Sequence, residues 1–286
     1  MTTVAEARLA GKRRLEAVET PGLDADVLLA HVLETGREHL FAAGEDTLSG
    51  DEETRYGTML AQRVSGSPVT HLTGSKMWFG LDLIVGPTVL TPRPETETLV
   101  EIALQIARTA GMRSIADIGT GSGAIAIALA IALPDAQVVA SDISSAAVDI
   151  ARSNAERHGV SDRVSLVVGD LLDSAKGEPE MIVANLPYVR EADRPLVSRE
   201  VLAEPGAALF SGEEGLDHIS RLIRQIADLN WRSTILLEID PRQAEPLRAM
   251  VDRVLPRATV EIMKDLAGRN RVCIIRPESA SEKAKK

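Results

Sequence analysis

Apolar positions along the chain change period near residue 75. Before that point they recur at helical spacing. Leu9, Leu15 and Val18 share one stripe, and Val27, Leu28, His31, Val32 and Leu33 share another. A third helix is expected to start near Asp51, whose side chain can cap it, and to carry Met59, Leu60 and Val64 inward. Residues 1–75 therefore read as a small helical bundle. In the stretch KMWFGLDLIVGPTVLTP, residues 76–92, apolar residues alternate with Gly and Asp and then become β-branched, which predicts a hairpin. Pro92-Arg93-Pro94 stiffens the chain beyond it, so 76–94 reads as a hairpin linker.

From residue 95 helix and strand alternate. Glu95-Thr96-Glu97 opens a helix at 95–108. Strands are predicted at 113–118, 137–142, 163–168, 180–184 and 233–239, and helices at 122–132, 144–158, 214–228 and 241–254. Strands joined by crossover helices imply a mainly parallel, doubly wound α/β sheet over 95–278. The last two strands, near 258–263 and 271–276, have no helix between them and should pair antiparallel. The charged tail 279–286, SASEKAKK, is expected to be disordered.

Composition narrows the function classes. A chain of 286 residues with 44% hydrophobic content can bury one large core and one small one. A net charge of -10 and only 2% aromatic residues argue against bulk nucleic-acid binding, which relies on basic surfaces and stacking rings. The single cysteine, Cys273, lies among Val272, Ile274 and Ile275 and reads as a small buried strand residue. The five histidines show no metal-ligand spacing, so no metal site is expected. The N-terminal stretch mixes charges and lacks the apolar region of a signal peptide. The longest apolar run, 124–133, is shorter than the roughly 20 residues that span a bilayer. The expectation is a cytoplasmic protein with no membrane partner and no stable nucleic-acid partner; nothing in the sequence argues against a monomer.

The strongest local signal is Asp117-Ile118-Gly119-Thr120-Gly121-Ser122-Gly123, which follows a predicted strand and opens a helix. Ligands of such folds sit beyond the carboxyl ends of the strands, where glycines let the backbone approach them. A dinucleotide pyrophosphate or the amino-acid end of S-adenosylmethionine could occupy this turn. Asp117 favours the second, because a carboxylate suits an ammonium and repels a pyrophosphate. No partner for hydride transfer, as a nicotinamide-dependent dehydrogenase needs, stands out. Asp142, at the end of the next strand, suits the ribose hydroxyls of either cofactor. Asp170 is placed to accept from an adenine amino group, with Leu171 packing on the ring.

A second motif, Asn185-Leu186-Pro187-Tyr188, follows the strand MIVA and should emerge on the same rim. It resembles the signature of methyltransferases acting on amide or exocyclic amino nitrogens. Such a nitrogen has its lone pair delocalised. Two acceptors, the side-chain oxygen of Asn185 and the carbonyl of Leu186, can take its hydrogens and aim the lone pair at a methyl group. Pro187 restricts Leu186 to extended conformations, and the Tyr188 ring can pack flat on the substrate amide.

Taken together, the chain resembles the protein-glutamine N5-methyltransferases that modify class I peptide-chain release factors. The resemblance rests on Thr91-Pro92-Arg93-Pro94-Glu95-Thr96-Glu97, the loop from Gly119 to Gly123, Asp142, Asn154-Ala155 and Asn185-x-Pro187-Tyr188. It continues through Glu204-Pro205, Gly212-x-x-Gly215-Leu216, Leu237-Glu238 and Asp265-Leu266-Ala267-Gly268-x-x-Arg271. It implies a Rossmann-like class I methyltransferase sheet, S-adenosylmethionine as cofactor, and a helical N-terminal domain that grips the release factor. Its substrate would be the glutamine of the factor's Gly-Gly-Gln loop. Leu186 stands where the family usually has a proline. Asn-Leu-Pro-Tyr also occurs in ribosomal RNA adenine dimethyltransferases, which makes adenine N6-methylation of RNA or DNA the alternative. For Arg93, Glu95 and Glu97 the expected role is stabilisation of a helix N-terminus.

Overall fold

The computed structural model describes residues 1–174 and 176–278, so the tail expected to be disordered, 279–286, lies outside the described residues. The chain forms two compact units. The smaller holds residues 1–75 together with 198–203, a segment that comes from far along the chain. The larger holds the rest.

The small unit contains α1 (Val4–Arg14), α2 (Pro21–Val32), α3 (His39–Ala42), α4 (Gly50–Val64) and α5 (Val69–Thr73). Thr3 and Ser49 each start a helix with a reciprocal capping box, closed by Glu6 and Glu52. Ser49, not Asp51, is therefore the cap of α4, and Asp51 sits in its first turn. Leu15, Leu28, Leu29 and Leu40 form the centre of the core. Leu9, His31 and Val64, expected on inward stripes, face solvent. The inward face of α1 is made instead by Val4, Ala7 and Gly11. Gly11 lies directly under Tyr56, whose hydroxyl would stand 1.9 Å from a Cβ at that position. Small residues, not large apolar ones, thus let α1 approach its neighbours.

A buried ion cluster ties this unit together. Arg63, 3% exposed, donates from Nε to Asp24 at 2.7 Å and also pairs with Glu200, which arrives on the inserted segment 198–203. Thr20 donates to the second oxygen of Asp24 at 2.7 Å.

The larger unit begins with the hairpin β1 (Ser75–Trp78) and β2 (Leu81–Ile84). Next come α6 (Thr96–Ala110), β3 (Ser114–Ile118), α7 (Ala124–Ala132), β4 (Gln137–Asp142), α8 (Ser145–Arg157), β5 (Val164–Val168) and β6 (Met181–Ala184). After the short α9 (Arg199–Leu202), which belongs to the small unit, follow α10 (Asp217–Asp228), β7 (Thr234–Glu238), α11 (Ala244–Val254), β8 (Thr259–Lys264) and β9 (Asn270–Arg276). Seven strands form one sheet in the order β5-β4-β3-β6-β7-β9-β8. The first five are parallel, and β9 runs antiparallel to both β7 and β8. Alternate residues of β6 divide between the two faces. Met181 and Val183 join the core under α6 and α7, while Ile182 and Ala184 join the core under α10 and α11. α7 is apolar all round and buried along most of its length. Cys273 is buried in β9, and burial pushes its thiol up to about 12.

The hairpin is no free linker, because Trp78 and Leu83 are buried in the core of the large unit. Asn154 on α8 accepts from the Ile84 amide at 2.7 Å and donates to the Ile84 and Ser122 carbonyls, each at 2.9 Å. That accounts for the Asn154-Ala155 pair noted in the sequence.

Replacing Arg63 by Met would strand the buried Asp24 carboxylate. The expected cost is about 3–5 kcal/mol, seen as a lower urea midpoint for the full chain; an unchanged midpoint would contradict this account of the small unit.

Candidate active site

The strand order reverses at β3, which pairs with β4 on one side and β6 on the other. The last residue of β3, Ile118, is level with Ser141 of β4 and Ala184 of β6. The loops that follow β3 and β6 therefore leave the sheet side by side. Gly119 has a φ of +75°, and a Cβ there would stand 2.9 Å from Leu186 Cδ2. Gly119 and Thr120 donate their amides to the Ser141 carbonyl, each at 2.9 Å.

One cavity opens at this reversal. Gly119, Gly121, Asp142, Asp170, Leu171, Asn185, Leu186 and Pro187 all line it. Asp117, Thr120, Ser122, Gly123 and Tyr188 do not. Asp117 was expected at the ligand. It is instead fully buried beneath the loop, where Oδ2 accepts from the Thr120 hydroxyl at 2.6 Å and from the Ala126 amide at 3.1 Å. Its other oxygen has no hydrogen-bond partner among the described residues. Burial pushes this carboxyl up to about 7, against the pull of those two donors, and the charge of Asp142 adds to the rise.

Asp142 accepts from the Gly121 amide through Oδ2 and from the Ser144 amide through Oδ1, each at 2.9 Å. It thus braces the glycine loop while lining the cavity. Asp170 lines the cavity and pairs with Arg221 through Oδ2 at 2.5 Å. Leu171 adopts a positive φ of 52° and packs into the core under α10. Sequence reasoning missed the rest of the wall, notably Val89, Ile143, Ala147, His218 and Arg221. These residues come from loops and helix starts, which carry no periodic signal.

Asn185 donates from Nδ2 to the Thr96 hydroxyl at 3.0 Å, which leaves Oδ1 as a free acceptor. Thr96 is the first residue of α6, and its amide donates to the Arg93 carbonyl at 3.1 Å. The Pro-Arg-Pro-Glu-Thr stretch therefore seats Thr96 under Asn185. Arg93 pairs with Glu204 at 2.5 Å, and the Thr91 amide donates to the same buried carboxylate. These contacts pin the start of the segment that supplies Pro205 and Ala208 to the cavity wall. Glu97 accepts from the Phe79 amide at 3.2 Å, and Glu95 faces Arg269 at 3.6 Å. Arg93 and Glu97 thus tie separate segments together, beyond the helix-terminus role expected of them.

Tyr188 turns away from the cavity. Its hydroxyl donates to Glu238 at 3.1 Å, and its carbonyl accepts from Gln243 Nε2 at 3.2 Å. Gly215, with a φ of +73°, passes so close beneath that a Cβ would stand 2.1 Å from the Tyr188 oxygen. The Gly212-x-x-Gly215 stretch is therefore a support for the Asn185 loop. Gln243, which also donates to the Gly215 carbonyl at 2.9 Å, was not foreseen. Among the described residues, no group of His, Cys, Asp or Glu could hold a metal ion.

The PrmC N-terminal domain model matches residues 6–74, and the methyltransferase small domain model matches residues 96–215. The chain is 38% identical to the release factor glutamine methyltransferase of Deinococcus radiodurans over 255 residues, 89% of this chain and 90% of that one. It belongs to the release factor glutamine methyltransferase family. The Escherichia coli K12 relative is 37% identical over 237 residues, 82% of this chain and 85% of its own. Among solved structures, the hMettl16 catalytic domain in complex with MAT2A 3'UTR hairpin 6 matches with a TM-score of 0.57 at 17% identity. That match covers 80% of this chain and 82% of the other, and it shows the shared fold.

This family member is an S-adenosylmethionine-dependent methyltransferase with the class I fold, as the sequence predicted. The rim fits that cofactor. Asp142 lines the cavity, Gly121 leaves open space over the loop, and the buried Asp117 carboxyl below it keeps one oxygen without a hydrogen-bond partner among the described residues.

Two predictions follow from this geometry. Gly119→Ala sets a Cβ against Leu186 at a φ that L-residues rarely adopt, so calorimetry should show S-adenosylmethionine affinity reduced about tenfold or more; unchanged affinity would count against the close approach. A carboxyl whose folded pKa is raised loses stability as pH rises from its unfolded value through its folded one. The melting temperature of the unliganded protein should therefore fall, relative to Asp117→Asn, between about pH 4 and about pH 7. A constant difference across that range would refute the assignment.

Proposed function

We propose that this enzyme transfers a methyl group to the side-chain amide nitrogen of the glutamine in the Gly-Gly-Gln loop of class I peptide-chain release factors. The single observation that carries this reading is the Asn185 side chain: its NH2 group donates to the Thr96 hydroxyl, which leaves Oδ1 as its acceptor, and Asn185 and Leu186 both line the cavity. Oδ1 and the Leu186 carbonyl suit a primary amide, which brings two N–H donors. The relatives' name supplies the substrate.

When bound, S-adenosylmethionine supplies an electrophilic methyl on a sulfonium, which leaves as a neutral thioether. The chain's own residues hold and orient. Gly119 and Gly121 would let the backbone come close to the cofactor, and Asp142 would hold its ribose. Asn185 Oδ1 and the Leu186 carbonyl fix the substrate nitrogen with its lone pair toward the methyl group. One amide proton passes to solvent as the new N–C bond forms and the sulfonium's S–C bond breaks. Positioning and preset dipoles, with no strong base, supply the acceleration. Leu186 replaces the usual proline without loss, because the contact uses its backbone oxygen and its buried side chain packs over Gly119. The Tyr188 ring, tied to Glu238, steadies this loop from behind.

The helical unit, residues 1–75, is the release-factor-gripping domain in this reading, and the large unit carries the chemistry. The protein works as a cytoplasmic monomer without stable nucleic-acid or membrane partners. No helix among the described residues is long and apolar enough to cross a membrane. Adenine N6-methylation of RNA or DNA is the poorer reading, given a net charge of -10 and the relatives' substrate.

The test is incubation with methyl-labelled S-adenosylmethionine and a purified release factor, with ribosomal RNA in a parallel tube, followed by peptide mass spectrometry. One methyl on the Gly-Gly-Gln glutamine is expected, and label on RNA alone would overturn the proposal. Asn185→Ala should lower kcat by about 100- to 1000-fold while cofactor affinity stays within about threefold.

A further inference from the structure

The stretch from Asp265 to Arg271 has no part in the methyl transfer described above, yet the sheet puts it on the same rim. Ala184, the last residue of β6, is level with Leu237 of β7. Glu238 is level with Val272 of β9, and Val272 with Met263 of β8. Because β9 alone runs against the other strands, its start and the end of β8 lie at the carboxyl ends of the parallel strands. The turn between β8 and β9 therefore shares the rim that carries the Asn185 loop. β9 and β8 are two and three places from β6 in the sheet, which is about 10 to 14 Å at roughly 4.8 Å per place.

The turn is braced from within. Asp265 Oδ1 accepts from the Ala267 and Arg269 amides, each at 3.0 Å, and the Gly268 amide donates to the Asp265 carbonyl at 2.9 Å. Leu266 at its tip is fully exposed and joins neither core of the large unit. Beside the turn lies an open cleft. Arg93, Arg242, Arg269 and Arg271 line it, with only two carboxylates, Glu95 and Asp240. Tyr188 lines it as well, three residues beyond Asn185, and Glu95 precedes the Thr96 that holds Asn185. The cleft thus adjoins the Asn185 loop.

Carboxylates hold these arginines in place. Arg269 donates from Nε to Asp265 at 3.0 Å, Arg242 pairs with Asp193 at 2.9 Å and with Asp240 at 2.7 Å, and Arg271 faces Asp265 at 3.4 Å. A guanidinium carries five N–H groups, so one carboxylate does not exhaust it. Among the described residues Arg269 hydrogen-bonds through Nε alone and Arg242 leaves Nη1 unused. Their side chains are 50% and 56% exposed. In a chain of net charge -10, a rim cleft with this balance suits the carbonyl and carboxylate oxygens of a peptide.

We propose that this cleft and the Leu266 turn form a docking surface on the large unit for the segment of the protein substrate that flanks the methylated glutamine. This inference rests on the reading of the substrate as a release factor. An extended chain advances about 3.3–3.6 Å per residue, so residues roughly three or four positions from a glutamine seated at Asn185 reach the turn. Oxygens of that segment meet Arg242 and Arg269, and an apolar side chain covers Leu266. Two acceptors at Asn185 and Leu186 satisfy any primary amide; the docking surface selects one glutamine by its surroundings.

The test compares the wild type with Leu266→Ser and Arg269→Ala, as full chains, with labelled S-adenosylmethionine. Two substrates are used, a purified release factor and a capped Gly-Gly-Gln tripeptide, which is too short to reach the turn. Each variant is expected to raise the release-factor KM about five- to tenfold. Release-factor kcat, cofactor affinity, melting temperature and tripeptide kcat/KM should stay within about twofold or unchanged. A release-factor KM within about twofold of wild type in either variant, or an equal loss on the tripeptide, would overturn the inference. Ribosomal RNA that competes with the release factor for the wild type and not for Arg269→Ala would make the cleft a nucleic-acid site and overturn it too. A wild type that leaves the release-factor glutamine unmethylated would sink the proposed function, and this inference with it.

Discussion

The parallel pairing of β3 with both β4 and β6 is the constraint on which the site depends. Because chain order reverses at β3, two loops that are more than sixty residues apart in sequence leave the sheet at the same level. One becomes the glycine turn and the other the Asn185 loop. The contact between Gly119 and Leu186 shows how closely they meet, as no side chain larger than hydrogen fits at 119 without displacing Leu186. The cavity is a consequence of the sheet order, and so is the neighbourhood of cofactor rim and substrate acceptors.

Around that junction, buried polar side chains fix backbone that regular hydrogen bonding leaves loose. Asp117 holds the glycine turn from below, and Asp142 braces it from the side. Asn154 binds the N-terminal hairpin and the Ser122 carbonyl to one helix. Glu204 collects Thr91 and Arg93, and Gln243 collects the carbonyls of Tyr188 and Gly215. Each is buried or largely so, and each satisfies backbone groups that would otherwise be unpaired. The motifs scattered along the sequence are thus mostly supports for two short loops.

The sequence carried the periodic parts well. The alternation of strand and helix from residue 95 and the antiparallel closing pair follow from apolar spacing, and the structure has them. The inward face of α1 was misread because Ala7 and Gly11 pack there as small residues, which a search for large apolar ones overlooks. Residues 198–203 joining the small unit had no local signal, since the Arg63–Glu200 pair links positions far apart in the chain. At the site, Asn185, Leu186, Asp142 and the glycines were legible because motif chemistry is local. The depth of Asp117, the Arg221 partner of Asp170 and the inward turn of Tyr188 were not, because burial and long-range pairing decide them.

The account stands on Asn185 Oδ1 and the Leu186 carbonyl as the pair that receives the substrate nitrogen. The most direct measurement is a crystal structure of this enzyme with S-adenosylhomocysteine and a peptide carrying Gly-Gly-Gln. The glutamine nitrogen should lie about 2.7–3.2 Å from both oxygens, with the cofactor sulfur on the lone-pair side. A glutamine amide held by other groups, with Asn185 presenting its NH2 group to the rim, would contradict the account.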